Sequence, residues 1–182
     1  MTTLGGDPEF GLVDFRTRTA VPACYFIKDE NYNKEVGLDG SEVIGEIRFA
    51  PQTDSREIVK EIKNKLEVLS TLLPKDIDVW GGPGIWSYDG YFHSLGGHVH
   101  FGRDAGNLIP LLHECLSVPI KCVVPRTLNQ HRLKNYGRIT RLNNGVRGQP
   151  HGFEYRILPS WIHHPRLVET VYDIVKLIVN NE

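Results

Sequence analysis

Four short segments of the chain each carry two ionisable side chains separated by a single residue. The pairs are Asp7 and Glu9, Glu46 and Arg48, His98 and His100, and Glu154 and Arg156. Side chains alternate between the two faces of a β-strand, so each pair would point to one face of its strand. If the four strands share one sheet, carboxylates, imidazoles and guanidiniums converge on that face. Bound cations would compensate so many charges, which predicts a site for metal ions and phosphate.

Two other interpretations compete with this one. Polar residues alternate outward on the solvent face of an ordinary antiparallel sheet. A facial triad of His98, His100 and one carboxylate would suit a single-metal cupin-like or non-haem metalloenzyme. Such a triad leaves Arg48 and Arg156 without a role. Glycine and aromatic residues also crowd the pairs, as in LGGDPEF, GGHVHFG and HGFEYR, and glycine permits close approach of the backbone to a ligand. The combined metal-and-phosphate site is therefore favoured.

Strands and helices, recognised by the different spacing of their apolar residues, must position these residues. Strands are predicted over residues 7–15, 23–27, 43–50, 77–80, 96–102 and 153–158. An amphipathic helix is predicted by the stripe Ile58, Ile62, Leu66, Leu69 and Leu73, with Asp54 or Ser55 as its N-cap and with charged residues, Lys65 among them, facing solvent. Further helices are predicted over residues 108–124, interrupted at Pro119, and from Pro165 onward. Together they predict an α+β domain with a mainly antiparallel sheet and helices on one face.

Composition limits the class of protein further. The 182 residues fit one domain spanning 1–182. Lys and Arg total 21 against 22 Asp and Glu, so the formal net charge is −1, and this balance argues against nucleic-acid binding. The 3 cysteines lack CxxC spacing, and neither a P-loop nor a GxSxG motif occurs. We therefore expect one soluble, cytoplasmic domain without nucleic-acid or membrane partners.

The motifs GGDPEF, DGSEVIGEIR, GGHVHFG and GFEYR occur in the order found in the glutamine-synthetase-like carboxylate–amine ligases. Over residues 5–156 the chain most resembles the phage-encoded amidoligase branch, whose members begin with a GADPEF-like motif. The resemblance implies a curved sheet that holds divalent cations between ATP and a carboxylate, in an enzyme of the host cytoplasm. The carboxylate would attack the γ-phosphate to give an acyl phosphate and ADP, and an amine would then displace the phosphate.

The resemblance also implies roles for individual residues. Those implied to bind metal are Asp7, Glu9, Glu46, His98 and Glu154. Oxygen donors with at most one imidazole per ion suit Mg²⁺ or Mn²⁺. Arg156 would face the transferred phosphate, and Arg48 and His100 complete the candidate catalytic set. Phosphate-binding arginines precede the last motif in the family, a position that Arg138, Arg141 and Arg147 occupy here, and the sequence does not choose among them.

The sequence leaves several alternatives open. Glu42 shares the face of Glu46 if the strand starts early and would then be an extra metal ligand, whereas Asp39 is more simply a turn residue before Gly40. Five aromatic residues either stack a ligand or pack in the fold: Trp86, Tyr88, Tyr91, Phe92 and Trp161. The sequence does not identify the carboxylate and amine substrates, for which small molecules and peptides are both candidates. It does not determine the oligomeric state either. A catalytically silent nucleotide- and metal-binding module is the competing class of function.

Overall fold

The computed structural model describes residues 2–28, 35–87, 89–136 and 145–182. In chain order the strands of these residues are β1 (Leu4–Asp14), β2 (Thr19–Val21), β3 (Val36–Leu38), β4 (Gly45–Ile47), β5 (Ile77–Trp80), β6 (Gly84–Trp86), β7 (Phe92–Ser94), β8 (Gly97–Phe101), β9 (Val146–Gln149) and β10 (Gly152–Tyr155). The helices are α1 (Ser55–Leu72), α2 (Leu108–Leu112), α3 (Val118–Val123), α4 (Arg126–Asn135) and α5 (Pro165–Asn180), with a 3₁₀ turn at Ala23–Tyr25 and a π-helical turn at His113–Ser117.

Strand β1 organises the main sheet because it is long enough to pair with four other strands. The sheet order is β3-β4-β1-β8-β10-β9, and β2 and β5 pair with the second half of β1. Every pairing is antiparallel, while β6 and β7 form a separate hairpin. This mainly antiparallel sheet with helices confirms the predicted α+β fold class.

The two faces of the sheet differ in chemistry because successive residues of β1 point to opposite sides. Leu4, Phe10 and Leu12 are buried in the main apolar core, which they share with residues of α1 and α5. The hydroxyl of Tyr172, in α5, donates to the carbonyl of Gly5 at 2.9 Å and ties this helix to β1. The other face of β1 carries Asp7 and Glu9 and is called the site face below.

The hairpin β6–β7 covers one end of the site face. Ile85 of the hairpin packs over Gly11 of β1, where an added Cβ would lie only 2.8 Å from Ile85 Cδ1. A small apolar cluster forms around it from Ala20, Ile44, Ile85 and Leu95. The hairpin therefore encloses the polar residues of the site face at this end.

The helix predictions were largely confirmed. Asp54 is the N-cap of α1, and its carboxylate accepts a hydrogen bond from the backbone N–H of Arg56 at 2.8 Å. The interruption predicted at Pro119 does not occur there: the irregularity is the π-helical turn at His113–Ser117, and Pro119 lies in the first turn of α3, where its missing N–H is tolerated. Among the described residues, no single helix is long and apolar enough to cross a bilayer, and the one pair that qualifies jointly is bent by 117°.

Two local predictions were wrong. Residues 23–27 contain a 3₁₀ turn instead of a strand, because the preceding Pro22 has no N–H with which to extend the ladder of β2. Lys65 is only 6% exposed, and its ammonium lies 3.4 Å from a carboxylate oxygen of both Glu35 and Glu61. Its aliphatic stem adds to the buried side of α1 while these two ion pairs offset the charge.

The fit between Phe10 and Gly45, which lie directly opposite each other on β1 and β4, holds the two strands in register. A Cβ added to Gly45 would overlap the fully buried ring of Phe10, so Gly45→Ala should lower the free energy of unfolding by about 2 kcal/mol. Gly148→Ala, at a strand position with open space around it, is the matched control and should change it by less than about 0.5 kcal/mol. Urea unfolding measures both, and equal midpoints for the two variants would contradict the packing argument.

Candidate active site

The strand register brings the four predicted pairs onto one face of the sheet. Residues that lie directly opposite each other are Asp7 and His98, Glu9 and Glu46, Glu154 and His100, and Glu154 and Arg147. Opposed residues of an antiparallel pair share a face, so these side chains converge across five adjacent strands. The spacing of two within each pair thus predicted the face correctly, and the sheet order supplied the neighbours.

Three side chains of the site form a group that we call the triad: Asp7, His100 and Glu154. One donor atom from each lies within 4.8 Å of the other two. Asp7 Oδ1 is 3.3 Å from His100 Nε2, and Glu154 Oε1 is 4.0 Å from the same nitrogen. All three atoms are buried and lack a well-directed hydrogen bond within the protein. Buried polar atoms normally have partners, so the triad has unused coordinating capacity.

Histidines determine the charge state of the triad. Burial by itself raises the pKa of Asp7, but the imidazoles of His100 and His98 outweigh it and hold that pKa well below its usual range. Burial lowers the pKa of His100, whereas Asp7 and Glu154 raise it, and the net direction is upward. Asp7 is therefore ionised near neutral pH and attracts cations.

His98 links the triad to the other acidic residues. Its Nδ1 lies 3.0 Å from Asp7 Oδ1 and 3.2 Å from Glu154 Oε1, and its Nε2 lies 3.4 Å from Glu9 Oε1. The imidazole is almost fully buried between them. His98, predicted as a metal ligand, thus contacts three of the other predicted ligands, and His100 Nε2 is the ring nitrogen that lacks a well-directed hydrogen bond.

Glu154 lies at the centre of a group of basic residues. Its Oε2 accepts hydrogen bonds from Arg147 Nε at 2.6 Å and from Gln149 Nε2 at 3.0 Å. Arg156 Nε lies 3.0 Å from Oε1, without a well-directed hydrogen bond. Residues of β9 thus hold Oε2 in place, and Oε1 is the oxygen that faces the other two members of the triad.

A second group, called here the acid cluster, consists of Glu9, Asp39 and Glu46. Glu9 Oε2 accepts a hydrogen bond from the backbone N–H of Gly96 at 2.5 Å. Glu46 forms an ion pair with Arg48, whose Nε donates to Oε1 at 2.5 Å. Burial and Asp7 raise the pKa of Glu46 even though Arg48 opposes them. The acid cluster is therefore short of positive charge.

Asp39 belongs to this cluster, although the turn at Gly40 is the simpler explanation of it in the sequence. Burial, together with the charges of Glu9 and Glu46 and a hydrogen bond with Glu9, raises its pKa to about 8. Gly40 does adopt a left-handed conformation, with φ of 58°, so the turn exists as well. Glu42, the other candidate, is exposed and lines a separate cavity with Tyr25 and Ser87.

The remaining predicted residues divide into three groups. Arg138, Arg141 and Tyr88 lie outside the described residues, so Arg147 is the phosphate-binding candidate that can be placed on the site face. Trp161 is buried, and its indole N–H donates to the carbonyl of Gly97 at 2.9 Å, which is a packing role. The exposed and half-buried aromatics of the hairpin are Trp86, Tyr91 and Phe92.

A cavity of about 450 Å³ opens beside the triad. Asp7 and His100 line it on one side, together with Arg48, Phe49 and His151. The ring of His151 stacks on that of His100 with centroids 5.7 Å apart. The cavity offers room for a small ligand in direct reach of the coordinating atoms.

Sequence reasoning missed Gln149 and favoured a turn role for Asp39. Gln149 lies two positions after Arg147 on β9, and Asp39 lies two positions after Gly37, which is opposite Glu46. The spacing of two joins Gln149 to Arg147 once a short strand is recognised there, whereas Asp39 has only a glycine two positions before it. Gln149 belongs to none of the four motifs, whereas Asp39 begins the motif DGSEVIGEIR, where the turn at Gly40 offered a simpler explanation of it.

The raised pKa of Asp39 predicts how stability depends on pH. In the metal-free protein this carboxyl keeps its proton up to about pH 8, whereas its pKa in the unfolded chain is 3.8. Its contribution to stability is therefore complete at low pH and is lost as the pH rises toward 8. Asp39→Asn cannot ionise, so its melting temperature in EDTA should exceed that of the parent by about 3 °C at pH 8, with a much smaller difference at pH 5.

Differential scanning calorimetry at the two pH values checks this expectation. Glu42→Gln is the matched control and should follow the parent at both. A melting temperature for Asp39→Asn that stays parallel to the parent would show that Asp39 does not hold its proton.

Comparison with known proteins gives a family for the chain. No curated protein matches it. Residues 4–182 match the family described as phage phiEco32-like COOH-NH2 ligase type 2, a match that includes every motif described above. The resemblance to phage amidoligases is thereby confirmed, and the family name describes an enzyme that joins a carboxylate to an amine. The chain belongs to the phage phiEco32-like COOH-NH2 ligase type 2 family.

Proposed function

We propose that the protein forms an amide bond between a carboxylate and an amine, using ATP and divalent cations through an acyl-phosphate intermediate. The observation that carries this proposal is the triad, whose three coordinating atoms are buried, lie close together and lack a well-directed hydrogen bond within the protein. Family membership supports the carboxylate and amine as the two substrates. The energy source and the intermediate are the parts that experiment must test.

The donor set fits Mg²⁺ or Mn²⁺. Both ions favour oxygen donors at about 2.0–2.2 Å, which places neighbouring ligands roughly 3–4 Å apart. The distances of 3.3 and 4.0 Å from His100 Nε2 to the two carboxylate oxygens of the triad lie in this range. Asp7, His100 and Glu154 would therefore hold a first cation, and the acid cluster supplies carboxylates for another. Bound cations would neutralise the carboxylates and stabilise charge on a phosphoryl group in transfer.

Arginine side chains border the site where phosphate would bind. Arg147 and Arg156 both pair with Glu154, and Arg48 pairs with Glu46 and lines the cavity. Guanidinium groups remain charged at all working pH values and contact phosphate oxygens through two N–H groups at once. Arg147 is half-exposed, so it can turn from Glu154 to an entering phosphate.

The chain's own residues would act by position and charge. Phosphoryl transfer needs little covalent help from protein, and alignment of the carboxylate with the γ-phosphate supplies much of the rate. His98 holds the carboxylates of Asp7, Glu9 and Glu154 together through both of its ring nitrogens. Arg156, beside Glu154, is placed to offset negative charge as the γ-phosphoryl group moves.

An isotope experiment tests the intermediate directly. The protein is incubated with Mg²⁺, ATP and pools of amino acids and peptides, and ADP release identifies an accepted pair. With ¹⁸O in the substrate carboxylate, one ¹⁸O atom should appear in the released phosphate. ADP release without ¹⁸O in phosphate would contradict the acyl phosphate. Tight nucleotide binding without turnover across all pools would favour a catalytically silent module. One tightly bound iron or zinc ion would favour the single-metal enzyme built on His98, His100 and one carboxylate.

Removal of the central carboxylate should abolish the activity. Glu154→Gln keeps the size of the side chain but loses the charge, so we expect turnover to fall more than about 100-fold. Glu42→Gln makes the same chemical change at an exposed position away from the site and should stay within about twofold of the parent. Initial rates of ADP release at saturating substrates measure both. Equal rates for Glu154→Gln and the parent would refute this placement of the site.

A further inference from the structure

Arg132, in α4, is a buried arginine that the proposed reaction does not use. Only 2% of it is exposed. Its Nη2 donates to the carbonyl of Arg156 at 2.5 Å, and its Nε donates to the carbonyl of Ile157 at 3.3 Å. Its Nη1 lies 3.5 Å from Ser94 Oγ at the end of β7. One guanidinium thus joins α4 to the hairpin and to the backbone that carries Arg156.

The absence of a side chain at Gly96 leaves room for this guanidinium beside the site. A Cβ added to Gly96 would lie 2.6 Å from both Arg132 Nη2 and His98 Nε2. Gly96 is also the residue whose N–H donates to Glu9. Arg132 therefore lies against the same short stretch of backbone as the acid cluster.

Within the described part of the chain, the charge of Arg132 has no direct ion pair. Among the residues the structure describes, no carboxylate oxygen lies within 4.0 Å of its guanidinium. Burial lowers the pKa of Arg132, while the charge of Glu9 opposes that change. Arginine nevertheless stays protonated in proteins. Because an isolated buried charge is costly, the surplus of carboxylates nearby is the feature that offsets it.

We propose that Arg132 is a positioning residue that holds a permanent positive charge beside the acid cluster and fixes the backbone that places Arg156 next to Glu154. The charge offsets part of the carboxylate repulsion in the metal-free protein. It also weakens the attraction of the site for divalent cations. The benefit of a correctly placed Arg156 for catalysis rests on the proposed function. The effects of Arg132 on stability and on cation binding do not.

Stability measurements test the charge without requiring turnover. In EDTA, Arg132→Gln should lower the melting temperature, and the loss should be clearly smaller when Glu9→Gln is also present, because Arg132 then has less repulsion to offset. A residue that acts only through its backbone hydrogen bonds would give the same loss in both backgrounds. Additive effects in this double-mutant cycle would overturn the proposal.

Cation binding is a second test, in which loss of the Arg132 charge should strengthen the measured property and not weaken it. With Mn²⁺ alone, followed by electron paramagnetic resonance, Arg132→Gln should bind about three- to tenfold tighter than the parent. Arg132→Lys keeps the charge and should bind Mn²⁺ within about twofold of the parent. Unchanged or weaker binding by Arg132→Gln would overturn the proposal, since loss of packing alone can only loosen the site.

The lysine variant still tests the charge if the glutamine variant fails to fold. A folded Arg132→Lys protein beside an unfolded Arg132→Gln protein supports the charge, and failure of both variants overturns it. If the parent shows no ligase activity, the proposed function fails, but the double-mutant cycle still decides the role of Arg132.

Discussion

Repulsion among carboxylates on one face of the sheet is the constraint on which the rest of the site depends. Five acidic side chains share this face: Asp7, Glu9, Asp39, Glu46 and Glu154. Such a group is stable only where positive charge, shared protons or bound cations offset it. Three ion-paired arginines supply positive charge, and the raised pKa of Asp39 favours its protonated form. The triad keeps coordinating atoms for the third.

The fold meets this constraint by separating its two faces. The apolar residues of β1 pack against α1 and α5 and supply the core, so the alternate residues are free to be polar. Long strand β1 lets residues from β4, β8 and β10 reach a common centre without a long loop. The hairpin β6–β7 and α4 then enclose the polar face from one end, and α4 brings a buried arginine to it.

Much of the site could be predicted because it depends on strand geometry alone. A spacing of two places Asp7 with Glu9, or His98 with His100, on one side of any strand. What could not be predicted depends on contacts between distant segments. Asp39 has a good local explanation as a turn residue, and its place beside Glu9 follows only from the pairing of β3 with β4. Local patterns also failed at Lys65, where Glu35, from a distant segment, stabilises a buried ammonium.

The sequence by itself determined the fold class, the polar face and the order of the family motifs, because periodicity and short motifs are local properties of the chain. Only the tertiary structure decided how the polar residues divide the work. It left His100 Nε2 without a well-directed hydrogen bond, directed both ring nitrogens of His98 to carboxylates, and brought Arg132 from α4 to the backbone of Arg156. These outcomes depend on strand register and on the packing of α4, which set distances of a few ångströms between residues far apart in the chain.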